Sequence, residues 1–316
     1  MFARSLFAVA AALLTIGAQR PPIAFEQRPV HPWTQACEDW DEWDKPGPAF
    51  QVFGNTYYVG TCGIASILIT SDKGHVLIDS GTEAGAELVL SNVRSLGFDP
   101  RDVKLLLNSH EHFDHVGGMA KLQEATGAEI VSSFIGAQVM LSGHASEEDP
   151  QAGMHEPMRP VRSALDYSDQ KAQRLLHDHD MWPISTPGHT PGAMSWTWRA
   201  CEGERCQTVV YADSLSAVSR DDYRFRDHQN YLKDVFSAIE RISETRCDLV
   251  LTPHPSASQM KAKLIGGDLA KPIGAPCRAY ATLQSGNLFA RILKEDPEYY
   301  SNLIKEVQAQ NQAQAQ

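Results

Sequence analysis

In the run Asn108-Ser109-His110-Glu111-His112-Phe113-Asp114-His115-Val116-Gly117-Gly118, three imidazoles and one carboxylate fall within six residues. Neutral imidazole nitrogen and carboxylate oxygen are good zinc donors, at about 2.0 to 2.2 Å. On an extended backbone His110 and His112 point the same way, because side chains alternate along a strand. Asp114 and His115 can then address a second point a few ångströms away. A catalytic zinc takes three protein ligands, so one cation would leave this cluster over-supplied once a further histidine joined it.

Two further histidines sit in loops beside strand-like segments. His189 lies in Thr186-Pro187-Gly188-His189-Thr190-Pro191-Gly192, where Pro and Gly fix a tight backbone, and His254 lies in Leu251-Thr252-Pro253-His254-Pro255. Alone, each reads as a hydrogen-bonded loop histidine; beside the cluster, each becomes a ligand candidate. By contrast, His177-Asp178-His179-Asp180 lacks a following glycine turn and reads as a solvated polar turn. Trp196 and Trp198 alternate with polar residues, which suits packing better than substrate stacking.

The elements that must position these residues are legible in outline. Val52 to Val59, Ile64 to Thr70 and His75 to Asp79 are short, rich in β-branched or aromatic residues and separated by glycine turns, as in an antiparallel meander. Glu83 to Leu96 carries Ala86, Val89, Leu90, Val93 and Leu96 at helical spacing and ends at Gly97. Val103 and Leu105 to Leu107 read as a buried strand that feeds the histidine cluster. Met194 to Trp198, Thr208 to Tyr211 and Leu249 to Thr252 are further strands, and Gln229 to Ile242 is an amphipathic helix. Such groups in both halves predict two sheets packed together with helices outside. Ser142 to Tyr167, interrupted by Pro150, Pro157 and Pro160, reads as a lid.

Composition bounds the rest. Of 316 residues, 42% are hydrophobic and 21% charged, ordinary values for a globular chain. The net charge of -11 argues against nucleic acid, whose binding depends on neutralised phosphates. Arg4, the apolar run Leu6 to Ile16 and the small pair Gly17-Ala18 follow the order of a secretory signal, so residues 1–18 are expected to be removed. A single domain over 19–307 is expected to follow, then an unstructured Gln/Ala-rich tail over 308–316. No later stretch is apolar enough to span a bilayer, and the expected product is a soluble monomer. The six cysteines, Cys37, Cys62, Cys201, Cys206, Cys247 and Cys277, are an even set, which suits disulfides in an oxidising compartment. Cys201 and Cys206 bracket Glu-Gly-Glu-Arg between two strand-like runs, so a hairpin staple is the simplest local pairing.

His110-x-His112-x-Asp114-His115, followed by Gly188-His189 and then Pro253-His254, resembles the metallo-β-lactamase superfamily. That resemblance implies an αββα four-layer sandwich, two mixed sheets with helices outside, and a dinuclear zinc site along the sheet edges. Where cysteine-using subclasses place a thiolate ligand, this chain has Tyr211-Ala212-Asp213-Ser214-Leu215-Ser216, which is similar to subclass B3, as are Gly54 to Gly60 and Leu251 to Pro255. The resemblance implies His110, His112 and His189 on one Zn2+, and Asp114, His115 and His254 on the other. Asp114 would also orient the attacking hydroxide. It implies a β-lactam substrate whose carboxylate meets Ser214 and Ser216, and a periplasmic location. It further implies the disulfides Cys37–Cys62, Cys201–Cys206 and Cys247–Cys277, and support of the metal site by Asp79 from behind. The superfamily also holds lactone and thioester hydrolases, which typically add a carboxylate bridging the metals; Asp213 is the nearby candidate. An inward Asp213 would favour that alternative.

Overall fold

The protein is described by a computed structural model over residues 30–267, 269 and 275–314. The expected signal segment, residues 1–18, lies outside them. After α1 (Pro32–Ala36), the chain forms β1 (Phe50–Phe53), β2 (Thr56–Tyr58), β3 (Ile67–Ile69) and β4 (His75–Ile78) as an antiparallel meander. The segment Val52 to Val59, expected as one strand, is instead split by a hairpin turn. Gly54 adopts φ 55°, a left-handed conformation that glycine enters without the clash of a Cβ, and the chain reverses there.

From β4 onward the sheet becomes parallel. Helix α2 (Gly85–Ser95) crosses to β5 (Val103–Leu107), and α3 (Phe113–Val116) and α4 (Met119–Thr126) lead to β6 (Glu129–Ser132). Then α5 (Phe134–Ser142), capped by the Ser133 hydroxyl accepting from the Gly136 amide, precedes the short β7 (Leu165–Asp166). Residues 143–164 between them form neither helix nor strand. The seven strands lie in the order β1-β2-β3-β4-β5-β6-β7.

A second sheet follows α6 (Gln170–Asp178). It comprises β8 (Trp182–Ser185), β9 (Met194–Glu202), β10 (Arg205–Tyr211) and, after α7 (Gln229–Glu244), β11 (Leu249–Leu251). Its order is β11-β10-β9-β8, with β10 and β11 parallel and the other pairs antiparallel. Helices α8 (Met260–Ile265), α9 (Pro276–Glu295) and α10 (Pro297–Gln314) complete the described chain. The tail expectation is corrected for residues 308–314: they continue α10, consistent with the high helix propensity of Ala and Gln.

Strand alternation assigns each side chain to a layer. Ile67, Ile69, Val76, Ile78, Leu105 and Leu107 face the second sheet's Met194, Trp196, Trp198, Val209, Tyr211, Leu249 and Leu251. The intervening Leu68, Leu77 and Leu106 turn outward onto Val89, Leu90 and Val93 of α2 and Met119 and Leu122 of α4. Val210 and Val250 do the same against Val235, Ile239 and Ile242 of α7 and Tyr280, Leu288 and Ile292 of α9. Each fully buried aliphatic chain contributes about 1.5 to 3 kcal/mol, so three such cores account for the four-layer αββα order. Trp196 and Trp198 are core residues whose indole N–H groups donate to the Asn108 carbonyl (2.8 Å) and Thr56 Oγ1 (2.9 Å).

All six cysteines pair, as Cys37–Cys62, Cys201–Cys206 and Cys247–Cys277. The second staples the β9–β10 hairpin, where the two residues are in register. Among the described residues no helix is long and apolar enough to cross a membrane.

Candidate metal centre

Strands β4 and β5 run parallel, as do β10 and β11, so the chain leaves their C-terminal ends into a shared edge of the sandwich. Asp79 follows β4, the histidine cluster follows β5, Asp213 follows β10 and His254 follows β11. The β8–β9 connection brings His189 there.

Asp79 is the pivot. It is fully buried with φ 61°, a strained conformation for a residue with a Cβ, and three donors hold it: the Ser109 amide at 2.6 Å, Ser109 Oγ at 2.8 Å and the Tyr211 hydroxyl at 2.8 Å. Its Oδ2 also lies 3.3 Å from His115 Nδ1. The end of β4 therefore fixes the end of β5 and backs His115, beyond capping its own turn.

His110, His112 and His189 are buried, and each can bring one ring nitrogen into a group spanning no more than 4.8 Å. Their ring centroids form a triangle with sides of 4.9, 4.5 and 4.8 Å. Every ring is held by its other nitrogen. His110 Nδ1 lies 2.8 Å from Asp213 Oδ1, His112 Nε2 lies 3.1 Å from Asp149 Oδ2, and His189 Nδ1 lies 2.8 Å from the Ser216 carbonyl. That leaves Nε2 of His110, Nδ1 of His112 and Nε2 of His189 as the convergent donors.

The second cluster abuts the first, with the His110 and His115 rings 4.1 Å apart. Asp114 Oδ2 lies 3.2 Å from His115 Nε2 and 3.4 Å from His254 Nε2. His254 Nδ1 faces the Gly63 carbonyl at 3.3 Å. All six expected ligands thus come together at one edge.

The electrostatics differ across the centre. Burial, reinforced by neighbouring imidazoles, holds His110 well below the ordinary histidine range and His189 down to about 3. Burial and the His115 charge lower His254 to about 4. Burial opposes protonation of His115 as well, but Asp114 and Asp79 outweigh it and raise that group to about 10. Asp114, despite burial, is held below the usual carboxylate range by His115 and His254.

These residues fit divalent cations. Packing neutral, lone-pair-bearing nitrogens around a point is costly without an acceptor for those pairs, and a cation is one. Both nitrogens of His115 are buried without a hydrogen bond, although carboxylates lie nearby. The oriented outer nitrogens are what metal-bound histidines need.

Several contributors escape a reading of the sequence. Glu111, buried and raised by that burial, accepts from Thr190 Oγ1 at 2.6 Å and from the Gly192 amide at 2.8 Å, tying the His110 turn to the His189 loop. Asp149 reaches His112 from a proline-flanked loop with no periodic signal. Trp40, with φ 56° and its amide on Ser256 Oγ at 2.7 Å, presents an exposed indole whose centroid is 6.0 Å from that of His254.

Asp213 sits behind His110 and joins neither metal-capable group among the described residues. Ser214 and Ser216 would share a face only on an extended run, and the run is not extended, because Leu215 has φ 51°. The Tyr280 hydroxyl, 2.8 and 2.7 Å from the Asp213 and Ser214 carbonyls, holds that bend. Ser214 Oγ is buried without a partner, whereas Ser216 Oγ lies 3.1 Å from His189 Nδ1. His177 to Asp180 close α6 and belong to no metal-capable group among the described residues.

An αββα sandwich with paired donor clusters at its strand ends defines a metallo-hydrolase. The family model described as the metallo-β-lactamase superfamily matches residues 59–202. The solved structure of the metallo-β-lactamase MIM-2 superposes with a TM-score of 0.74 at 50% identity, covering 84% of this chain and 97% of that one. MEM-A1, a subclass B3 metallo-β-lactamase isolated from a soil metagenome library, gives 0.75 at 36%, covering 81% and 100%. The chain belongs to the metallo-β-lactamase superfamily, within its subclass B3. Among curated proteins, an N-acyl homoserine lactonase, AttM of Azorhizobium caulinodans, is 26% identical over 158 residues, 42% of this chain and 58% of that one. The chain thus spans less than two thirds of that relative.

Proposed function

We propose that this protein is a periplasmic β-lactamase, exported by its N-terminal signal, that hydrolyses the β-lactam amide of antibiotics with two zinc ions. The observation that carries this reading is the convergence of two donor clusters around His110. Its 50% identity with MIM-2 supports the choice of substrate.

In this reading His110, His112 and His189 hold one zinc, and Asp114, His115 and His254 the other. Zinc supplies Lewis acidity and, by lowering the pKa of water to about 7, a nucleophile at neutral pH. The chain's own residues do the rest. Asp114 stays ionised and orients the nucleophile as its hydrogen-bond acceptor. Asp213, Asp149 and the Ser216 carbonyl keep the imidazoles in the required tautomers. Ser214 and Ser216 meet the substrate carboxylate directly or through water.

A lactone hydrolase is the second reading, favoured by the similarity to AttM. The position of Asp213 behind His110 counts against it. Purified protein should open a chromogenic cephalosporin, lose that activity to a chelator and regain it with zinc. Chelator-sensitive lactone or thioester hydrolysis without cephalosporin hydrolysis would reject the β-lactamase reading.

A further inference from the structure

Asp149 belongs to the 143–164 segment, 37 residues from the histidine it meets. It is 1% exposed, and a carboxylate is not buried that deeply without partners. Its oxygens lie 3.1 and 3.3 Å from His112 Nε2, and Oδ1 also accepts from the Gln151 amide at 2.8 Å. The adjoining backbone is tied elsewhere: the Asp149 carbonyl accepts from Arg220 Nη1 at 3.3 Å and the Pro150 carbonyl from the Arg220 amide at 3.0 Å. Arg220 follows closely on Ser216, which backs His189. One short stretch of loop therefore braces His112 and is tied, through Arg220, to the segment that carries Ser216.

Elsewhere the loop rests on ring contacts of His155, whose centroid lies 6.0 Å from that of Phe113 and 5.8 Å from that of Trp43. Its base is closed by the Met158 amide on the Gly143 carbonyl (2.7 Å) and the Val161 amide on the Met140 carbonyl (2.9 Å). Between those points a cavity of about 290 Å³ lies under it, lined in part by His112, Phe113, Asp149 and His155. Glu147, Glu148 and Glu156 are exposed.

We propose that Asp149 is the positioning residue for His112 and latches this loop to the first cation site, so that loop order and cation occupancy are coupled. The inference rests on the metal reading above. Asp149 accepts the Nε2 proton of His112, which fixes the tautomer whose Nδ1 faces the cation. A cation that holds His112 in place then also holds Asp149, and the coupling runs equally in the other direction.

The test compares wild type, Asp149→Ala and Asp149→Asn. Zinc affinity is measured by competition with a chromophoric chelator, and the spectrum of the cobalt-substituted protein reports the first site's geometry. A glutamate-specific protease, with fragments identified by mass, measures opening at Glu147 and Glu148 with and without zinc. Asp149→Ala should weaken the first site about 10- to 100-fold, the cost typical of losing such a partner. Its cobalt spectrum should change, and zinc should no longer slow cleavage of the loop. Asp149→Asn keeps an acceptor oxygen for His112 and should recover most of each effect, and it carries the test if the alanine variant does not fold. Wild-type affinity, spectrum and zinc protection in both variants would overturn the latch alone. A wild-type protein that binds no zinc would overturn the latch together with the metal reading.

Discussion

The two donor clusters lie side by side but are built differently. In the first, each of His110, His112 and His189 is gripped from behind, by Asp213, Asp149 and the Ser216 carbonyl. In the second, His115 makes no hydrogen bond through either nitrogen, and His254 reaches the Gly63 carbonyl only at 3.3 Å. The second cluster instead contains an anion, Asp114, with Asp79 behind it, and these raise His115 to about 10 while His189 falls to about 3. The first site is preorganised, and burial keeps His110 and His189 neutral. The second is held together by charge.

The strongest way to break the contrast is to remove the anion. Asp114→Ala should lower kcat/KM for a chromogenic cephalosporin by about 10²- to 10⁴-fold, the range for losing a positioned proton acceptor. A loss under tenfold would mean that Asp114 is dispensable. His115→Ala should next bring bound zinc from two ions per chain toward one, read by native mass spectrometry, with the first site keeping its three histidines. Equal loss from both sites would erase the distinction. Asp213→Ala should weaken the first site by about 10- to 100-fold and the second less, since it frees only His110. Metal titration of the variant reads both.

The smallest effect sharpens the electrostatic half. Zinc must displace the His115 proton at any pH below about 10, so second-site affinity should rise with pH, by roughly tenfold per unit between pH 6 and 8. His110 and His189, already neutral there, release none, so the first site should rise less steeply. Calorimetric titrations in buffers of different ionisation heat would count the protons, and equal release from both sites would contradict the contrast.

The parts legible in the sequence are those carried by short-range pattern. His110 to His115 are contiguous, so their spacing announces a metal centre, and the apolar runs Ile67 to Ile69 and Leu105 to Leu107 announce sandwiched sheets. The turn dividing Val52 to Val59 is also written locally, in Gly54-Asn55, but the apolar run around it outweighs that signal. The outer partners are not legible. Asp149 and Glu111 acquire their roles only when distant loops meet, and neither belongs to a periodic pattern. The bend at Leu215 depends on Tyr280 from α9, held near β11 by the Cys247–Cys277 bridge, so extended alternation fails at Ser214 and Ser216.

Diffraction from zinc-grown crystals, recorded at and below the zinc absorption edge, addresses the central claim most directly. Two anomalous peaks about 3.5 to 4 Å apart are expected, one bounded by His110, His112 and His189 and the other by Asp114, His115 and His254. A single peak shared by all six side chains, or none among them, would contradict a centre made of two unlike halves.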